Sequence, residues 1–171
     1  KCEATRICQF KGWMMAEFAL KNPDDRLLIT DVDVIFNTDR AIRFFDEQPR
    51  SMHVMKRDWP CMPINTGMIL TEGMEAWWKH YQEIIGSYPP ELQGWYCDQL
   101  AMAEAIHGAG RLMRLDMNKE LPAPDEQPTQ ALGGIAAHFK GPTRKAMMVK
   151  YARMLDGGAP VETMRPTGWR A

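Results

Sequence analysis

Long apolar runs are missing from this chain: no stretch of its 171 residues is hydrophobic for long enough to span a membrane. Strong charge of either sign is missing too. The formal net charge is −1, so nothing in the balance favours nucleic acid or an anionic membrane as a partner. Cysteine is sparse, and Cys2, Cys8, Cys61 and Cys97 have neither metal-knuckle spacing nor the density of a small disulfide framework. They read as reduced thiols, which favours a cytoplasmic setting. Internal repeats, low-complexity segments and a secretory signal pattern are also lacking. The chain opens at Lys1 directly into a helical pattern, which reads as a processed or truncated start. An apolar content of 45% with 25% charged residues is that of an ordinary globular domain, and the length suggests one such domain with a sizeable core.

Within that ordinary composition, residues 27–36 stand out. Leu27-Leu28-Ile29-Thr30-Asp31-Val32-Asp33-Val34-Ile35-Phe36 is an apolar, β-branched run interrupted by two carboxylates two positions apart. It reads as a buried central strand of a parallel sheet. Unpaired carboxylates are costly away from water. If the strand continues through both positions, alternation puts Asp31 and Asp33 on one face, where they can share a hard divalent cation. The plainer reading, one Asp capping the next segment and the other solvated, is about as common for a bare Asp-x-Asp.

Around this run, helices and strands alternate. Residues 3–20 form an amphipathic helix with Ile7, Phe10, Met14 and Phe18 on one face, leaving Arg6 and Lys11 as solvated charges. A short helix over 40–47 turns Ile42, Phe44 and Phe45 inward. A strand follows over 51–57, with His53 on its surface. Residues 59–63 form a loop, and 64–70 a strand with polar residues at its start. A helix over 73–85 buries Trp77, Tyr81, Ile84 and Ile85, with Trp78 and His80 elsewhere on its wheel. Another helix spans 98–106, with Asp98 near its start. A short strand at 111–115, a long lid-like loop at 121–134, a strand at 134–139 and a helix over 143–155 complete the pattern. Residues 1–156 thus read as one layered α/β domain, and 157–171 as a loose tail.

Four stretches, in order, resemble those of GT-A fold glycosyltransferases. Asp31-Val32-Asp33 resembles their metal-binding Asp-x-Asp, and Asn65-Thr66-Gly67 the Asn-Ser/Thr-Gly strand beside the sugar site. Asp98-Gln99 looks like their Asp-Gln helix start. His138-Phe139-Lys140-Gly141, with Arg144 and Lys145, is similar to the late His-x-x-Gly-x-x-Lys motif of the retaining, glycogenin-like and galactosyltransferase-like group, with one extra residue before Lys145 and no Pro-Trp after it.

The resemblance implies a mixed sheet flanked by helices, truncated at the N-terminus, because the nucleotide-binding half that precedes Asp-x-Asp in this fold has no counterpart here. It implies an enzyme moving a sugar from a nucleoside-diphosphate sugar to a glycan, protein or small-molecule acceptor. Asp31, Asp33 and His138 would ligate Mn²⁺ or Mg²⁺, with the imidazole favouring Mn²⁺. Asn65, Thr66 and Gly67 would contact the sugar. Lys140, Gly141, Arg144 and Lys145 would meet the diphosphate. Asp98 and Gln99 would stand at the reacting centre. Two other readings remain. The chain is a nucleotide-sugar or glycan binding module or inactive fragment, or Asp31 and Asp33 are the nucleophile and acid of a haloacid-dehalogenase-type phosphatase. Against the phosphatase, Val34-Ile35 stand where that family usually has Gly-Thr.

Overall fold

The computed structural model describes residues 3–36, 40–56, 63–94, 96–108, 136–139 and 143–157. Its elements in chain order are α1 (Glu3–Lys21), β1 (Leu27–Thr30), β2 (Val34–Phe36), α2 (Arg40–Glu47), β3 (Met52–Lys56), β4 (Ile64–Thr71), α3 (Glu75–Ser87), α4 (Cys97–Gly108), β5 (Ala136–His138) and α5 (Arg144–Leu155). This is an α/β fold of small antiparallel sheets accompanied by helices. The chain divides into two compact units, Lys1–Thr30 with Pro49–Met117, and Asp31–Gln48 with Asn118–Ala171. The strand expected at 111–115, the loop at 121–134, Lys140, Gly141 and the tail from 158 onward lie outside the described residues.

In the first unit β4 is central, and all eight of its residues are buried. β1 and β3 flank it, both antiparallel, in the order β1-β4-β3. The run at 27–36 is therefore not one buried central strand. Its first part, β1, is an edge strand among the described residues, alternating half-buried Leu27 and Ile29 with exposed Leu28 and Thr30. Leu27 and Ile29 pack on the core, while the longer apolar face of β4 takes the sheet centre. β4 is irregular on its other side. Its register against β3 jumps from Val54↔Ile69 to Met55↔Asn65, so the segment between Asn65 and Ile69 is bulged. Such bulges re-aim side chains beside functional sites.

The core of this unit gathers α1, α3 and α4 with the sheet. Trp77 stacks on Tyr81 with centroids 5.5 Å apart and planes 8° from parallel. Trp78, expected elsewhere on the wheel, is buried as well, and its indole N–H donates to Thr71 Oγ1 at 3.0 Å. His53 is likewise buried rather than on the strand surface, with Nε2 3.0 Å from the Pro49 carbonyl oxygen.

The largest departure from the sequence expectation is in α1. Ile7, Phe10, Met14 and Phe18 do form a stripe, but it is the exposed one; Phe10 is 66% accessible. Cys8, Gly12, Met15, Ala16 and Ala19 face the core instead. The reason is the closeness of α3. A Cβ on Gly12 would collide with Ile85 Cδ1 and the Tyr81 hydroxyl, so no side chain fits at that point of the face.

In the second unit β2 and β5 pair antiparallel, with Val34 opposite His138 and Phe36 opposite Ala136. Met147 and Tyr151 of α5 pack on Ala137, Phe139 and Ile35. Phe45 of α2 is buried edge-on to Phe36 and Phe44. Ile42, expected inward, is 68% exposed, because Phe45 is the α2 residue that reaches the Phe36 ring.

Candidate functional site

Asp31, Val32 and Asp33 do not continue a strand; they form the turn between β1 and β2. The turn achieves by folding back what alternation along a strand was expected to achieve. Val32 points to solvent at 96% exposure, while Asp33 is buried. The turn is pinned by the Phe139 N–H, which donates to the Asp33 carbonyl oxygen at 2.8 Å and extends the β2–β5 pairing by one step. That pairing also delivers His138, since Val34↔His138 is the last rung before the turn.

The result is a three-residue constellation. His138 Nε2 lies 3.2 Å from Asp33 Oδ1 and 3.6 Å from Asp31 Oδ2. One ligand atom from each of Asp31, Asp33 and His138 falls within 4.8 Å of the others. Arg144, at the start of α5, brings Nη1 to 3.5 Å from Asp33 Oδ2. Asp33 Oδ1 is buried, and apart from the nearby His138 imidazole it has no hydrogen-bond partner. A buried carboxylate oxygen without a donor is costly unless a cation meets it. Two carboxylates and an imidazole are also a donor set that can hold a divalent cation. The residues present therefore fit a divalent cation.

Electrostatics point the same way. Burial pushes the Asp33 carboxyl up, but the interaction with His138, the charge of His138, Asp33's own backbone amide and the Arg144 guanidinium together outweigh it and hold the group below its ordinary value. Asp33 is thus kept ionised in a place where water alone would not keep it so. Lys145, next to Arg144 on α5, is exposed; Lys140 and Gly141 lie outside the described residues.

A second cluster lies in the first unit, built by the β4 bulge. Asn65 Oδ1 accepts from the Gly67 N–H at 2.7 Å, folding the strand start on itself. Thr66 Oγ1 donates to Asp98 Oδ2 at 2.6 Å. The Asp98 carboxylate sits in the first turn of α4, where the helix dipole favours negative charge. It is almost fully buried, and its Oδ1 has no hydrogen-bond partner. Tyr81 OH donates to the Asp98 backbone carbonyl at 3.3 Å. Gln99 follows, half-buried. Asn65, Thr66, Gly67 and Asp98, scattered in sequence, are neighbours here.

The sequence reading missed one member. Lys11 was expected to be a solvated charge. Its ammonium instead donates to Thr66 Oγ1 at 3.2 Å and lies 3.3 Å from Asp98 Oδ2, with the side chain 30% accessible. Helical periodicity marks Lys11 only as off the apolar stripe, and no local signal announces a carboxylate so far down the chain. Burial and the Asp98 charge push the Cys97 thiol up, so it is a buried neutral neighbour rather than a nucleophile.

No family model matches the chain, and no curated protein does. Among solved structures it is similar to the crystal structure of a glycosyltransferase involved in the glycosylation of the major capsid of PBCV-1. The two share 18% identity, with a TM-score of 0.64 over 88% of this chain and 79% of that one. At that identity the likeness establishes the fold.

Proposed function

We propose that this chain is a metal-dependent glycosyltransferase that takes a sugar from a nucleoside-diphosphate donor. The observation that carries the reading is the convergence of Asp31, Asp33 and His138 around one point, with a buried Asp33 oxygen left without a donor, in a chain folded like a glycosyltransferase. These three side chains would hold Mn²⁺ or Mg²⁺, which when bound supplies Lewis-acid stabilisation to a departing diphosphate. His138 contributes neutral nitrogen, and the two aspartates balance the cation's charge. Arg144 offers a planar fork of donors, and Lys145 a point charge, to phosphate oxygens.

The second cluster, taken by itself in the first unit, has groups of the kind that recognise a sugar hydroxyl. Hydroxyls are both donors and acceptors. The unpartnered Asp98 Oδ1 is an acceptor for one of them, and Lys11 and Thr66 hold the other oxygen so that the carboxylate keeps its orientation. Asn65 accepts from the Gly67 N–H through its Oδ1, which fixes the strand start beside Thr66.

The experiment is donor hydrolysis and transfer across a panel of UDP- and GDP-sugars with Mn²⁺, comparing the wild type with Asp33→Ala and with a chelated sample. Release of nucleoside diphosphate that disappears in both controls is expected. Turnover untouched by exhaustive chelation would refute the mechanism. Metal-dependent donor binding without turnover would identify a binding module. Release of inorganic phosphate from an added phosphomonoester, through a phosphorylated Asp31, would identify a phosphatase.

A further inference from the structure

Asp33 offers its two oxygens in two directions. Oδ1 is buried beside His138 Nε2 at 3.2 Å, and the same Nε2 lies 3.6 Å from Asp31 Oδ2. Oδ2 faces Arg144 Nη1 at 3.5 Å. One carboxylate, with one negative charge, is thus the meeting point of a cation site and a guanidinium. Arg144 cannot relieve the conflict by losing its proton, because a guanidinium stays charged at any physiological pH. It can relieve it by moving, since its side chain is 53% accessible.

We propose that Arg144 and a divalent cation oppose each other on Asp33 when they are its only partners, and support each other once a diphosphate lies between them. The inference rests on the metal-site reading above and adds a coupling whose sign depends on the anion. Without an anion, a cation on Oδ1 drains the charge that attracts Arg144 to Oδ2, and Arg144 lowers cation affinity by the same factor, since coupling between sites is reciprocal. With a diphosphate present, its oxygens supply the missing negative charge. The guanidinium fork then binds phosphate rather than competing for Asp33. Arg144 would therefore guard the site against cation alone and reward cation bound with its proper anion. In that role it is a specificity-determining residue as well as a phosphate contact.

The test is isothermal titration of wild type, Arg144→Met and Lys145→Met, first with Mn²⁺ alone and then with inorganic pyrophosphate at saturating Mn²⁺. Lys145→Met removes the same charge from the adjacent exposed position and controls for general electrostatics; circular dichroism checks that each variant is folded. Mn²⁺ alone should bind Arg144→Met about fivefold or more tightly than wild type, with a much smaller gain in Lys145→Met, while pyrophosphate should bind Arg144→Met about fivefold or more weakly. Equal or weaker Mn²⁺ binding by Arg144→Met would overturn the coupling while leaving the metal site standing. An equal gain in Lys145→Met would also overturn it, by reducing the effect to net charge. Failure of every folded variant, wild type included, to bind Mn²⁺ would overturn the metal-site reading itself and the coupling with it.

Discussion

Asp33 and Asp98 are both carboxylates withdrawn from water with one oxygen unpartnered, and each is steadied by cationic neighbours on other elements. For Asp33 the consequence is legible in acid. Its folded carboxyl titrates below the ordinary 3.8, so the folded state binds fewer protons there than the unfolded chain. Its contribution to stability is complete above that ordinary value and is lost as pH falls through the depressed folded value. Thermal melts of the wild type should therefore drop through the strongly acid range, and Asp33→Asn should melt lower at neutral pH yet lose less on acidification. An acid limb of identical slope in both proteins would show that Asp33 is not the group responsible. For Asp98 the informative change is Lys11→Met. Removing a partly exposed partner from a buried carboxylate should cost roughly 1–3 kcal/mol, below the range for a wholly buried pair. Denaturant unfolding measures that cost. If Lys11 merely waved in solvent, the midpoint would stay put.

At the scale of elements, α1 shows how size can override hydrophobicity. Ile7, Phe10, Met14 and Phe18 look outward, while Gly12, Ala16 and Ala19 look inward beside Met15, because at Gly12 α3 passes too close for a side chain. Two substitutions separate the faces. Gly12→Ala improves helix propensity but forces Ile85 and Tyr81 to move, and should destabilise by about 1–3 kcal/mol. Phe10→Ser removes a far larger side chain from an exposed position and should change stability by no more than about 0.5 kcal/mol. Chemical denaturation of the two variants side by side decides it, and the reverse ranking would mean the stripe of Phe10, Met14 and Phe18 is the packed face. The turn at Asp31–Asp33 teaches a related lesson about strands. An apolar run of ten residues contained two short strands belonging to different sheets, and the carboxylates mark the break between them.

For the whole molecule, a cation or diphosphate that binds only the folded state must raise its stability. The gain is about 2.7 kcal/mol at a hundredfold excess over Kd. Melting temperature should accordingly rise with Mn²⁺ plus UDP or GDP in the wild type, and stay flat in a variant carrying both Asp31→Ala and Asp33→Ala. A rise that survives loss of both aspartates would move the binding site elsewhere.

Much of this protein was readable in the order of its residues. The alternation of helices and strands, the apolar β4 run, the aromatic side of α3 and the two carboxylates of Asp31 and Asp33 follow from local pattern, because periodicity and residue chemistry are local properties; Asn65, Asp98 and His138 became candidates through the resemblance to GT-A fold glycosyltransferases. What the sequence could not decide were matters of partnership. Which face of α1 is buried depends on how near α3 comes. Whether β1 is central or at an edge depends on β4 having the longer buried run. Lys11 looked idle until folding brought it to Thr66 and Asp98, and Arg144, expected to meet a diphosphate, is set against Asp33 by α5. Distances between residues far apart in the chain are set by packing of whole elements, and only the tertiary structure contains them.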